Sequence, residues 1–492
     1  MWFIIYLLSI PLIWFFYYVL YPIFYWKRTK IPYAGFSSAF YGLRALSMRI
    51  SLGGLLWNVY DSSAAKAKVI GFHLFGRPCV VVKDLQVMKH ILIKDYENFQ
   101  YRTVEVNDKS DPIGSRVLFF LRNPSWELMR KKFSNTFTAT RFQSMYSQMD
   151  FVGDNLLEYI SDNSEEQISA TDIVQKYSTD VITLTAFGIK ANSFIDSNAI
   201  SIKTAKIVFE GTFYRGVQFM SYFISPILTR IFNMQFIHKA GVDIVKEMIK
   251  DVGIYRKQNK IVKNDFIGTM LDMLENKTYI EGEKEIYGQG VQFWLAGFET
   301  IGSSLIFLLY ELAHHQEIQE RLRKEIMKTF EAEKGKISFK AIKEMEYLIM
   351  VTTESLRKYP ILPFLDRKCI NDYVIPDTDL KIDAGTNVYV SLLGVHYNPE
   401  NFPNPFIFDP ERFAKGRKGM SEDFSYLSFG AGRRHCIGLR LGKMSLMVAV
   451  VKILGKFRIH CFDKYSETKD LLDTKGFLLG SKKKILFKFE KL

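Results

Sequence analysis

Three stretches of the chain are apolar over the length of a helix. Residues 1–26 carry no charge and are rich in Ile, Leu, Phe, Tyr and Trp, enough to cross a bilayer, which needs about 20 apolar residues. Val291–Leu312 and Leu439–Leu454 have the apolar density of buried helices. Shorter runs of Val, Ile and Phe between turn residues, at Lys68–Val82, Tyr373–Val390 and Leu478–Phe489, predict strands. Charged connections are expected at Arg256–Asp265, Glu331–Lys336 and Ala414–Glu422.

Proline divides the chain. None occurs in the 133 residues from Ile227 to Tyr359, whereas seven of the fourteen lie between Pro360 and Pro410. Long helices need the first pattern, and turns and edge strands tolerate the second. The expected fold is mainly α with a minor β portion.

The N-terminal run lacks a basic start and a small-residue cleavage site, so it reads as a retained anchor rather than a signal peptide. Lys27, Arg28 and Lys30 follow at once, and positive-inside asymmetry puts the rest of the chain in the cytosol. Four scattered Cys among 492 residues agree with a reducing compartment. The formal charge of +14 suits an anionic membrane face or an acidic redox protein; no other feature supports nucleic acid.

The chemistry concentrates in Phe429-Gly430-Ala431-Gly432-Arg433-Arg434-His435-Cys436-Ile437-Gly438, a glycine-bent, arginine-lined turn before an apolar helix. A thiolate that ligates haem iron must stay ionised beside a buried porphyrin, so it needs positive charge and backbone N–H groups around it. Arg434 supplies charge, the glycines admit close approach, and Phe429 shields the sulfur. A dinucleotide loop fails because position 435 is His, and a zinc site fails because no second Cys stands at ligand spacing. Cys79, Cys369 and Cys461 read as ordinary small core residues.

The decapeptide resembles, at Phe429, Gly432, Arg434, Cys436 and Gly438, the haem-ligand signature FxxGxRxCxG of the cytochromes P450. Three further motifs fit the same family. Glu354 and Arg357, one helical turn apart, with Arg412 in Pro410-Glu411-Arg412-Phe413, resemble its ExxR and PERF elements, for which the resemblance implies a buried structural charge network. Ala296-Gly297-Phe298-Glu299-Thr300 resembles the oxygen-activating AGxET, which makes Thr300 the expected oxygen and proton-relay residue and Glu299 its acidic partner. The mid-helix Gly297, costing about 1 kcal/mol against Ala, and the Thr300 hydroxyl predict a loosened helix there. Trp126 and Arg130 resemble WxxxR, whose side chains would reach a haem propionate, with Arg367 and His435 as further candidates.

The resemblance implies a haem b monooxygenase that uses O2, with electrons from NADPH reaching it only indirectly, through NADPH-cytochrome P450 reductase, and with cytochrome b5 as an allowed second donor. Arg130, Lys131, Lys132, Arg433, Arg440 and Lys443 are candidates for a donor-docking surface. Motifs from Trp126 to Gly438 must meet at one cofactor, so residues 27–492 are expected to form one haem-thiolate domain behind an anchor of residues 1–26 in the endoplasmic reticulum membrane. The stretch Arg357–Arg367 is similar to microsomal insect members that handle xenobiotics; Arg433 departs from the Pro of many members, and the hinge after the anchor shrinks to Ile31-Pro32-Tyr33.

The expected pocket lining is apolar and predicts a lipophilic substrate: Phe119, Phe120, Phe213, Phe293, Ala296, Gly297, Phe364, Leu365, Phe477, Leu478 and Leu479. The aromatic segment Phe213–Phe236, broken by Pro226, is the part that in the family lies over the site and dips into the membrane. A haem-thiolate isomerase or dehydratase, or a non-catalytic haem sensor, is an alternative; the Glu299–Thr300 pair argues against both.

Overall fold

A computed structural model describes residue 16 and residues 20–35, 40–62, 67–137, 139–196, 212–261, 263, 265–280, 282–416, 424–473 and 476–492. Most of the expected anchor, and residues 417–422 of the expected Ala414–Glu422 connection, lie outside the described residues.

The helices that position the site are α1 (Tyr21–Thr29), α2 (Ser125–Ser134), α3 (Ala139–Asp162), α4 (Ala170–Ile182), α5 (Phe213–Ile224), α6 (Pro226–Ile231), α7 (Lys239–Gln258), α8 (Lys284–His314), α9 (Gln316–Ala332), α10 (Glu346–Lys358) and α11 (Leu439–Leu454). The strands of the two larger sheets are β1 (Val69–Leu74), β2 (Arg77–Val82), β3 (Ile168–Ser169), β4 (Phe364–Lys368), β5 (Asn387–Ser391), β6 (Phe457–His460) and β7 (Leu486–Lys491), and Tyr373–Val374 pairs with Lys381–Ile382 in a short separate hairpin. The mainly helical body with minor sheet follows the proline division.

The larger sheet runs β1-β2-β5-β4. Its β1–β2 and β4–β5 pairs are antiparallel, and β2–β5 is parallel, with Cys79 opposite Asn387 and Val82 opposite Val390. A smaller antiparallel sheet, β3-β7-β6, closes the C-terminal end. Both apolar runs become core helices: α8 crosses the middle of the domain against α4, α7, α10 and α11.

Among the described residues α8 is the one helix long and apolar enough to cross a membrane, but 67% of its apolar window is buried inside the domain. Its length therefore reflects a position at the centre of the core. Gly297 explains itself by packing. A Cβ there would lie 2.4 Å from Ile182 Cδ1 on α4, so the glycine lets two helices close together. The loosening expected around Gly297 and Thr300 is absent, and α8 runs unbroken because the Thr300 hydroxyl donates to the Ala296 carbonyl at 2.5 Å without displacing it from the helix.

At the N-terminal side, α1 turns back onto the sheet. Trp26 is 1% exposed and its indole N–H donates to His73 Nδ1 at 2.9 Å. Phe24 on the same helix, Phe213 and Tyr214 on α5, Ile227 and Ile231 on α6 and the adjacent Phe232 are exposed. A soluble surface rarely groups so many large apolar side chains.

Candidate active site

The ligand turn is built by two left-handed glycines. Gly430 has φ +72° and Gly432 φ +69°, a region costly for residues with a Cβ. The Cys436 N–H donates to Phe429 O at 2.8 Å and the Gly430 N–H to Leu427 O at 2.7 Å, closing the loop so that the sulfur faces inward just before α11. Gly432 is doubly constrained, since a Cβ would stand 2.1 Å from Leu92 O, whereas at Gly430 the nearest atom would be 3.6 Å away. Gly430→Ala is therefore expected to cost about 1–2 kcal/mol, the left-handed penalty, and Gly432→Ala distinctly more, with haem retention falling further; thermal unfolding and haem content of the two variants check the order.

Cys436 opens into a cavity of about 530 Å³. Its exposed surface belongs to that interior space, where burial raises the thiol above its usual range while the backbone N–H groups of Gly438 and Leu439, with Arg130 and Arg102, pull it down. Glu299 and Thr300 of α8 line the same cavity. Burial pushes the Glu299 carboxyl up to about 7, against a hydrogen bond from the Ser303 hydroxyl at 3.3 Å.

A cluster of guanidiniums stands at the cavity edge. Arg102 donates to Asp366 Oδ1 at 2.6 Å, and Asp366 Oδ2 accepts from the Thr103 amide and hydroxyl at 2.8 and 2.9 Å. Burial works to raise Asp366, but Arg102 and these bonds hold it below the ordinary carboxylate range. Arg367 and Arg434 are buried close by, and burial together with Arg102 pushes both below the ordinary arginine range. An arginine keeps its proton inside a protein, so these shifts express a demand for negative charge. Three guanidiniums share one carboxylate, and the Nε atoms of Arg102, Arg367 and Arg434 are buried without a partner.

The other sequence candidates gather here. Trp126 lies under the Arg434 guanidinium, 4.0 Å from ring centre to Cζ. Arg130 Nη2 donates to His435 Nε2 at 3.3 Å, so His435 must carry its proton on Nδ1, facing Gly432 O at 2.8 Å. His435 thus steadies Arg130 and the turn. The cluster, the inward thiol and the apolar walls fit a planar dianionic cofactor carried by sulfur.

Behind the turn, Arg357 is fully buried and bidentate on Glu354, with Nε at 2.7 Å and Nη2 at 2.8 Å. Arg412 Nε lies 3.3 Å from Glu354 Oε1. None of these three lines the cavity.

The walls contain Phe119, Phe120, Phe293, Ala296, Gly297, Leu365, Phe477 and Leu478. Three expected residues fall elsewhere. Phe213 is 63% exposed on the outer side of α5, whose cavity face is Arg215, Gly216 and Phe219. Phe364 alternates with Leu365 along β4 and so points into the packing of Phe223, Tyr389 and Phe477. Leu479 is 2% exposed but stands behind the wall, its amide on Ile361 O at 2.8 Å. Sequence reasoning missed Arg102, Phe219, Phe236 and Gln292, all in the lining; for Phe219 the helical spacing from Arg215 was the available signal.

Residues 46–488 match the family model described as Cytochrome P450. The chain belongs to the cytochrome P450 family. It is 35% identical over 462 residues to Cytochrome P450 6k1 of Blattella germanica, covering 88% of this chain and 87% of that one. It is 34% identical over 417 residues to Cytochrome P450 6l1 of the same species, covering 85% and 82%. It is also 33% identical over 454 residues to Cytochrome P450 6A1 of Musca domestica, covering 90% and 89%. This cytochrome P450 is therefore a haem-thiolate monooxygenase with insect relatives.

Proposed function

We propose that this cytochrome P450 inserts one atom of O2 into a lipophilic substrate and reduces the other to water, with NADPH electrons delivered by NADPH-cytochrome P450 reductase and cytochrome b5 as an accessory donor. The supporting observation is one cavity lined together by the Cys436 thiol, by Glu299 and Thr300, and by guanidiniums with unpartnered Nε atoms. Haem b bound through sulfur supplies oxygen activation, the thiolate favouring O–O cleavage. In this reading Arg102, Arg130, Arg367, Arg434 and Trp126 hold the propionates, and Phe429, Gly432 and Gly438 let the turn approach the ring.

Glu299 stores a proton at its carboxyl, which titrates at about 7, close to the pH at which an acid both gives and regains protons efficiently. Thr300, whose O–H is spent on Ala296 O, offers its oxygen as an acceptor beside that carboxyl. Because the folded value is raised above the ordinary 4.5, the stability linked to the neutral form is present below 4.5 and is lost as pH rises through about 7. Glu299→Gln, which does not ionise, is expected to gain stability relative to wild type at pH 8 and to lose the part of the turnover profile that titrates near pH 7. Melting temperatures and turnover measured from pH 5 to 8.5 check both.

The membrane assignment belongs to the same proposal. The anchor is the apolar stretch ahead of α1, since Trp26 is packed on the sheet through His73; it holds the chain in the endoplasmic reticulum with the domain in the cytosol, and the exposed Phe24, Ile227, Ile231 and Phe232 meet the lipid. Exposed Lys131, Arg433 and Arg440, with the partly buried Lys132 and Lys443, form the docking face for the acidic donor, while Arg130 of the same basic group turns to the cavity. The test is the carbon monoxide difference spectrum of the reduced protein, followed by NADPH consumption with purified reductase on a panel of lipophiles. A thiolate-shifted Soret band and substrate-dependent consumption are expected. An unshifted band in freshly prepared protein, or no consumption across the panel, overturns the reading.

A further inference from the structure

Two glutamines one turn apart on α8 hold the same loop. Gln289 Oε1 accepts from the Leu118 amide at 3.1 Å and its Nε2 donates to Arg116 O at 2.7 Å and Glu285 O at 3.0 Å. Its amide is fully spent, and the residue is completely buried. Gln292 repeats half of this arrangement: its Oε1 accepts from the Phe119 amide at 2.8 Å.

The difference lies in the other half. The Phe119 donor is a backbone N–H, so the Gln292 atom facing it must be the oxygen, which fixes the amide orientation without ambiguity. The NH2 group therefore faces away from Phe119, on a residue that is only partly buried and lines the cavity. Among the described residues no acceptor meets it, and it is not among the sealed buried atoms without partners. Apolar side chains dominate the cavity it lines, among them Phe119, Phe120, Phe293 and Ala296.

We propose that the Gln292 amide is a specificity-determining hydrogen-bond donor for the substrate, selecting lipophiles that carry one acceptor oxygen, such as a ketone, ester or lactone carbonyl. The inference rests on the monooxygenase reading and deepens it. Gln292 precedes Thr300 by eight residues on one helix, about 12 Å along its axis at 1.5 Å per residue, so an acceptor held there is well separated from the oxygen-activating residue. A donor fixed by the loop on its other side costs little ordering when the substrate arrives.

The experiment uses 1-alkylimidazoles, whose ring ligates the haem iron and shifts the Soret band whether or not turnover occurs. One has a plain dodecyl chain, and others have the same length with a ketone at successive positions. In wild type, one ketone position well removed from the ring is expected to bind about 5- to 10-fold tighter than the plain chain, the yield of one neutral hydrogen bond. Gln292→Leu is expected to remove that preference, and because it also frees the Phe119 amide, the ratio of ketone to plain-chain affinity, not either affinity alone, is the readout.

Gln292→Glu, assayed above pH 8 where its carboxyl is ionised and has no donor, separates the donor from the clamp, since it keeps an oxygen for the Phe119 amide, and it is expected to lose the preference as well. A ketone preference unchanged in both variants, or absent from wild type at every position, overturns the proposal. If no imidazole shifts the band in wild type, the haem-thiolate reading fails first.

Discussion

Cys436→Ser is expected to abolish the thiolate-shifted carbon monoxide band and all monooxygenase turnover while leaving the fold intact. Oxygen replaces sulfur with little change of volume, and the bonds that close the turn run through the backbone: Cys436 N–H to Phe429 O, Gly430 N–H to Leu427 O and His435 N–H to Gly432 O. What disappears is an atom able to be anionic here. A thiol can be ionised by nearby N–H groups and arginines, but an aliphatic hydroxyl cannot, even with Gly438, Leu439 and Arg130 around it. Circular dichroism should match wild type, whereas the reduced, carbon monoxide-treated protein should show an unshifted Soret band or none. Cys79→Ser and Cys369→Ser serve as controls. Both thiols are buried and pushed up to about 12 by burial, away from the cavity, and their replacement should leave the band in place.

The contrast between Cys436 and the other cysteines was legible in the sequence because it is local: two glycines, two arginines and a phenylalanine in the seven residues before one thiol. The Glu354–Arg357 pair was legible for the same reason, being one turn of one helix. Arg102 was not. Its importance comes from Asp366, which β4 delivers from 264 residues away, and nothing near position 102 signals that meeting. The same holds for the glutamine clamp, whose partners are amides of a loop 171 and 173 residues earlier. Phe213 failed for a different reason. Aromatic density marked α5 as a wall of the site, but which face of the helix turns inward depends on packing with α6 and the sheet. Membrane contact and cavity lining demand the same residue types, so composition alone does not separate them.

Glu354→Ala is expected to destabilise the protein by about 3–5 kcal/mol, the cost of leaving a buried charge without its partner, against a typical total of about 5–15 kcal/mol. Arg357 is fully buried and would keep only the carbonyls of His396 at 2.8 Å and Pro405 at 2.9 Å. The Asp409 amide, 3.0 Å from Glu354 Oε1, would also lose its acceptor. The damage should reach the haem site, because the network continues toward it. His396 Nδ1–H donates to Arg357 O at 2.8 Å and its Nε2 accepts from the Leu427 amide at 3.1 Å, which fixes a neutral tautomer. Burial, and then the nearby Arg357, hold that imidazole down at about 3. Leu427 in turn accepts the Gly430 amide that opens the ligand turn. A shift of Arg357 is thus passed through His396 to Leu427 and the loop carrying Cys436, so haem loss is expected at lower temperature or denaturant than global unfolding. The double variant Glu354→Leu with Arg357→Met distinguishes charge from shape. Removing both charges should restore much of the stability lost in Glu354→Ala, but not the His396 hold on the loop if that depends on where the Arg357 side chain fixes the backbone. Denaturant midpoints followed in parallel by far-ultraviolet circular dichroism and by Soret absorbance measure the two effects separately, and coincident midpoints in Glu354→Ala would show that the network supports the fold without supporting the turn.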